Sequence, residues 1–306
     1  IVLFRDPPKS ALVVAIALIA IRIYPTGEYH IVTLRSFFGV HKIYDTDDGR
    51  YRILKHGSTI HGAQIISDED GKPINGRPKL IAYYHDKSAI HQVIWSVRVR
   101  KGGALRVAVI GLGSGTLACR ISPGETWQFF EIDPTVIEIA RNPAHFTFLS
   151  SCAPNIPIVL GDARLTFAHE PDRVYDLIIV DAYSSDAIPV HLATAEAMAL
   201  YKSKLAPHGV VLMHISNRHL DLKTVVGGIA DANGLRTWFW SSETEETDDN
   251  NFIFASDVAI AAENIDDIGE LKWNGSWVLT SPDPSVRTWT DDYSNIAGAL
   301  WRRYVK

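Results

Sequence analysis

The chain of 306 residues is poor in cysteine, holding only Cys119 and Cys152. Two thiols make no disulfide framework and their spacing fits no metal motif, so they predict reduced thiols in a reducing compartment. An excess of one charge is also missing. Against 30 Lys and Arg stand 35 Asp and Glu, a net of −5, which argues against a general polyanion-binding surface and so against a nucleic-acid partner. No apolar run reaches the roughly 20 residues that cross a bilayer. The run Ala11 to Ile21 (ALVVAIALIAI) is flanked by Arg5, Lys9 and Arg22 and lacks the small-residue cleavage site of a signal peptide. Three readings stay open for it: a helix lying on the body of the protein, the tail of a truncated membrane region, or an interfacial anchor. The twelve histidines form no HxxxH or HxH pattern, and no metal is expected. Internal repeats and low-complexity tracts are absent.

What is present centres on Leu105 to Glu131, LRVAVIGLGSGTLACRISPGETWQFFE. A β-branched run (Val107 to Ile110) ends in Gly111-Leu-Gly113-Ser114-Gly115. A helix-compatible segment follows, then the apolar run Trp127 to Phe130, ending in Glu131. Strand, glycine turn, helix, strand, acid is the opening of a nucleotide-binding βαβ unit. Glycines let the backbone approach a ligand closely, and the acid about 20 residues on can accept hydrogen bonds from two ribose hydroxyls. The spacing GxGxG, in place of GxGxxG, leans towards an adenosyl ligand such as S-adenosylmethionine.

Ahead of this unit the pattern is short and β-rich, with Asp48-Gly49 and His56-Gly57 as turns; it predicts a small antiparallel sheet of roughly four or five strands. Ser67 to Lys79 reads as a loop and Leu80 to Val97 as a helix. After Glu131 strands and helices alternate. Asp133-Pro134 opens a helix towards Arg141, and strands are expected at Ile156–Leu160, Tyr175–Val180, Val210–Ile215 and Leu235–Trp240. Helices are expected over about Thr194–Leu205 and Leu222–Ala232. Such alternation predicts an α/β fold with a doubly wound, mostly parallel, Rossmann-like sheet. Ligands bind at the carboxyl ends of such strands, where Gly111 to Gly115, Glu131, Asp162 and Asp181 all fall. The expected division is 1–28 as an apolar N-terminal segment, 29–79 as the small β-rich domain and 80–306 as the Rossmann-like domain.

The order GLGSG, FFEID, GDA, DAYSSDAIP, behind a β-rich domain and the pair Tyr84-His85, resembles the spermidine synthase (polyamine aminopropyltransferase) family. It is closest to the bacterial spermidine-synthase-like proteins fused to membrane segments. RSFFGV (35–40), HGSTIHGAQ (56–64), HISNRHLDL (214–222) and WTDDYSN (289–295) strengthen the likeness, which spans roughly residues 30 to 300. The resemblance implies the fold of S-adenosylmethionine-dependent methyltransferases and an aminopropyl transfer to a small di- or polyamine. Its donor would be decarboxylated S-adenosylmethionine, or S-adenosylmethionine itself. It also implies a homo-oligomer in the cytoplasm, and membrane contact through residues 11–23 at the cytoplasmic face of the inner membrane.

Carried over by position, Asp181, Tyr84 and His85 would be catalytic. Gly111, Gly113, Ser114, Gly115, Glu131, Asp162 and Ala163 would bind the donor, with Glu131 on the ribose and Asp162 and Ala163 at the adenine. His61, Gln64, Ser184, Asp186, Asp292 and Tyr293 would meet the acceptor. Two positions depart from the family pattern. Ser114 stands where an Asp binds the donor's terminal amine, and a serine supplies no negative charge; intact S-adenosylmethionine therefore stands beside its decarboxylated form. DAYSSD is longer than the usual motif, so Asp186 is displaced by two residues. A lyase or methyltransferase on the same fold, and a non-catalytic adenosyl-nucleoside binder, remain the alternatives.

Overall fold

In the computed structural model, residues 7–23, 28–57, 59–183, 188–217, 219–240, 247–248 and 251–305 are described. The strand Arg106–Ile110 (β5) shows how the fold is built. Its residues alternate between two faces, Val107 and Val109 entering one buried cluster and Ala108 and Ile110 the other. Tyr175–Val180 (β8) and Leu205–His214 (β9) alternate in the same way. A strand apolar on both faces must be covered on both. The helix Ala89–Lys101 (α2) buries Ile90, Val93, Ile94 and Val97 against one face, while Ala195–Lys204 (α6) and Leu222–Asp231 (α7) cover the other.

The eight-stranded sheet has the order β12-β10-β11-β9-β8-β5-β6-β7, with Thr126–Glu131 as β6, Ile158–Leu160 as β7, Arg236–Trp240 as β10, Val258–Ala262 as β11 and Trp277–Thr280 as β12. Strands β5 to β9 pair in parallel, and β10 to β12 close one edge in antiparallel pairings. This is the expected α/β, Rossmann-like, mostly parallel sheet. Short helices Pro134–Arg141 (α3), Phe148–Cys152 (α4) and Ala163–Thr166 (α5) follow β6 and β7, and Ile296–Val305 (α8) ends the chain. Asp133 caps α3 by accepting from Thr135 N, and Thr194 caps α6.

The small sheet has four strands in the order β1-β2-β3-β4: Glu28–Ser36, Gly39–Thr46, Tyr51–His56 and Thr59–Ile65. It is fastened to the larger unit at several places. Gln64 and Thr147 bond reciprocally, each at 2.8 Å. Ser36 Oγ and His41 Nε2 both reach Asp133 Oδ2, at 2.5 and 2.8 Å. Ile43 and Leu54 pack with Ile139, Phe146 and Phe148.

Two expectations are corrected, and one of the three readings left open for the N-terminal run is narrowed. Leu80 to Val97 is not one helix: a 3-10 turn at Ala82–Tyr84 precedes Ser88, which caps α2 at Ala89. Cys119 and Cys152, expected reduced, are joined by a disulfide with Cα atoms 5.0 Å apart. The 3-10 segment Thr116–Arg120 packs on α4, a proximity that a separation of 33 positions conceals in the sequence. The segment Ala11 to Ile21 falls in the helix Pro7–Ile23 (α1), whose Leu12, Val13, Val14 and Ile16 are exposed, so these residues do not lie on the body of the protein. Among the described residues no helix is long and apolar enough to cross a membrane.

Candidate active site

The carboxyl ends of β5, β6, β7 and β8 surround a cavity of about 290 Å³, closed on the remaining side by the small sheet. Gly111 begins the turn after β5 with φ +102°, and a Cβ there would stand 2.3 Å from the backbone oxygen of Asp181. Only glycine allows this close approach, which draws the ends of β5 and β8 together and lets the loop backbone face the cavity. Gly111 and Gly113 line it.

Glu131, at the end of β6, lines the cavity and is almost fully buried. Its Oε2 accepts from Leu112 N and its Oε1 from Asp133 N, both at 2.9 Å, so the glycine loop and the start of α3 are hung on one carboxyl group. Burial pushes its pKa up to about 7, against the opposing pull of those backbone N–H groups. Hydroxyl groups of a bound ribose would donate to this carboxylate and favour its charged form, so binding would release a proton. The expected result is that affinity for an adenosine nucleoside rises from about pH 6 to about pH 8 and then levels. Glu131→Gln should weaken binding and abolish the slope; calorimetry across that range checks both. The unliganded fold should follow the opposite trend, since a carboxyl group whose pKa is raised from 4.5 to about 7 loses its contribution to stability as the pH climbs across that interval.

Asp181 follows β8 and receives a hydrogen bond on each carboxylate oxygen. Tyr84 donates its phenol to Oδ2 at 2.5 Å, and His214 Nδ1 meets Oδ1 at 2.8 Å. Burial, with the charge of Asp181 alongside, pushes the Tyr84 phenol well above its ordinary pKa, so it serves as a neutral donor. Tyr83, buried and shifted in the same direction, stacks on Tyr84 at 4.3 Å. Asp162 and Ala163 line the cavity after β7, where Asp162 caps α5 by accepting from Arg164 N and stands 3.5 Å from His191 Nε2.

The remaining expected residues separate into three groups. His61 lines the cavity from β4. Ser184 and Asp186 lie outside the described residues. The others do not reach the cavity wall. Ser114 is fully buried and shares a hydrogen bond of 2.8 Å with Thr116 Oγ1. Gly115 faces Leu149. Gln64 is consumed in fastening β4 to Thr147. His85 turns its Nδ1 to Lys87 N instead of following Tyr84 into the cavity. Asp292 is exposed, and Tyr293 lies under the Arg287 guanidinium at 4.0 Å. The neighbouring Asp291 is spent on Arg164 and Thr194, which holds this segment away from the cavity.

Sequence reasoning missed Tyr83, His214 and an imidazole wall. His41 and His56 line the cavity beside His61, with ring centroids 4.8 and 5.6 Å apart along the series. Burial, reinforced by His41, holds His56 below the usual imidazole range. These histidines sit on neighbouring strands, so no fixed spacing announces them. Among the described residues no group of three His, Cys, Asp or Glu is arranged to hold a metal ion.

No family model matches the chain. A polyamine aminopropyltransferase of Vibrio vulnificus (strain CMCP6) is 34% identical over 112 residues, 35% of this chain and 36% of that protein. The chain therefore spans about a third of the length of this curated relative. Among solved structures, a probable spermidine synthase from Corynebacterium glutamicum ATCC 13032 superposes with a TM-score of 0.54 at 13% identity, over 76% of this chain and 80% of that one. A spermidine synthase in complex with the transition-state analogue AdoDATO gives 0.52 at 16% identity, over 89% and 84%. The resemblance to the spermidine synthase family is thus borne out, in sequence by the first relative and in fold by the other two.

Proposed function

We propose that this chain is a transferase of the polyamine aminopropyltransferase type. It would move an aminopropyl or 3-amino-3-carboxypropyl group from an adenosyl sulfonium donor to a di- or polyamine, releasing methylthioadenosine. The observation that carries the reading is Asp181: a carboxylate held on both oxygens, by the Tyr84 phenol and the His214 imidazole, beside the glycine turn and at the edge of a cavity of about 290 Å³.

The chemistry needs little else. The attacking amine must be neutral, although its free pKa resembles that of Lys, about 10.4. The Asp181 carboxylate binds the ammonium form, aligns it and accepts its proton. The nitrogen lone pair then forms a bond to the carbon next to sulfur, the carbon–sulfur bond breaks, and its electron pair stays on sulfur. The thioether leaves uncharged and needs no acid. In this reading Glu131 takes the ribose hydroxyls, and Asp162 and Ala163 face the adenine. Tyr84 holds Asp181, and the remaining rate enhancement comes from positioning in a closed site.

The state of Ser114 favours intact S-adenosylmethionine as donor. Its side chain turns inward to Thr116, so position 114 offers the cavity neither a charge nor a hydroxyl. The decarboxylated donor loses a carboxylate partner for its terminal ammonium, while the intact donor carries its own. The experiment is calorimetric binding of S-adenosylmethionine, its decarboxylated form and methylthioadenosine, with mass analysis of products in the presence and absence of putrescine. Consumption of the amine with release of methylthioadenosine is expected. Methylthioadenosine formed without an acceptor would replace transfer with lyase chemistry, and failure of all three ligands to bind would overturn the adenosyl site.

A further inference from the structure

His214 ends β9, the strand beside β8, so the sheet places it next to Asp181. It is 5% exposed and does not line the cavity. Its Nδ1 lies 2.8 Å from Asp181 Oδ1 and its Nε2 lies 2.9 Å from Ser216 Oγ. The direction of this chain of bonds is set at its carboxylate end: a carboxylate only accepts, so Nδ1 donates to Asp181 Oδ1. Ser216 Oγ accepts from Asp257 N at 2.8 Å and can donate its own proton to Nε2. In the neutral ring Nε2 is then the bare nitrogen. The ring itself is clamped. Tyr83 packs on it at 4.6 Å and Tyr183 at 5.0 Å, and the Tyr183 hydroxyl donates to the His214 backbone oxygen at 2.7 Å.

We propose that His214 is a positioning residue for Asp181, fixed in its Nδ1–H form by Ser216 and aiming the carboxylate that receives the amine proton. This rests on the transfer reading above. The sequence Asp181, His214, Ser216 has the connectivity of a nucleophile relay, but Ser216 is half-buried on the far nitrogen of the ring, already accepts from Asp257 N, and does not line the cavity. It acts on the imidazole and not on a substrate. With Tyr84 on Oδ2 and His214 on Oδ1, the carboxylate plane is set from both sides, and the lone pairs left over define where an ammonium can approach. One bond alone would leave the group free to turn about its Cβ–Cγ axis.

Three variants separate a hydrogen bond from mere packing. His214→Ala removes the bond and the ring, His214→Phe keeps a ring between the two tyrosines without a donor, and His214→Gln returns a donor. The expected result is that Ala and Phe both lower kcat by on the order of 10- to 100-fold, the worth of one hydrogen bond to a charged group. The donor KM and methylthioadenosine binding should stay unchanged, because Glu131 and the glycine turn are untouched. Gln should recover most of the loss. Long-range 1H–15N correlation on the unaltered chain should show a protonated Nδ1 and a bare Nε2 at His214. Phe behaving as the unaltered chain would reduce His214 to packing and overturn the proposal, as would an Nε2–H imidazole. Absence of amine transfer in the unaltered chain would overturn the transfer reading first, before any variant is made.

Discussion

Asp181→Asn is expected to lower kcat by on the order of 10²- to 10⁴-fold, the range of a lost general base. The geometry makes the substitution harsher than a change of one atom. Asp181 accepts from two donors, the Tyr84 phenol and His214 Nδ1–H. An asparagine amide must turn its own N–H groups towards one of them, so a phenol or an imidazole has to reorient, and the ammonium loses its counter-charge. Methylthioadenosine binding should survive, because Glu131 and the glycine turn do not depend on the Asp181 side chain. Steady-state kinetics with the amine, alongside calorimetry with methylthioadenosine, read the two effects separately. A variant that keeps its kcat would remove Asp181 from the chemistry. One that loses nucleoside binding as well would show that the residue organises the whole cavity.

Gly111→Ala should act on the fold and the site together. The residue is at φ +102°, a region that alanine adopts only under strain, and its new methyl group would stand 2.3 Å from the Asp181 backbone oxygen and 2.8 Å from the carbonyl carbon. Neither atom is the end of a flexible side chain. The expected loss is roughly 2–5 kcal/mol, backbone strain plus an overlap that only strand movement relieves. Urea unfolding measures it. Nucleoside binding should fall with it, because relief of the overlap pushes the turn after β5 away from the end of β8. Unchanged stability would mean that this turn is far more pliable than the packing around it implies.

The central unit was legible because it rests on local signals. An apolar run followed by glycines, and a second run ending in an acid, specify β5, the turn, β6 and Glu131 without knowledge of any distant contact. The Asp133-Pro134 cap was readable for the same reason. Strands β11 and β12 were not, since each is short and follows loop-like sequence; pairing with β9 and β10 is what makes them strands. Gln64 and Tyr293 were misplaced in another way. Position in a motif says that a residue is near a site, while its rotamer and partners decide whether it faces the cavity. Gln64 meets Thr147, and Tyr293 meets Arg287. His214 sat inside a motif already quoted, yet its partner Asp181 lies 33 positions away on a neighbouring strand. Only the strand order brings the two together.

Gly62, on β4, has the Ser114 side chain against its backbone: a Cβ at position 62 would stand 2.1 Å from Ser114 Oγ and 2.6 Å from Ser114 Cβ. The small sheet is therefore seated directly on the glycine loop, with Ser114 filling the space that a side chain at position 62 would need. An aspartate at 114 would add bulk and a buried charge where the serine already fills the gap. Position 62 has no side chain left to give up, so a larger residue at 114 is admitted only by moving the β4 backbone off the glycine loop.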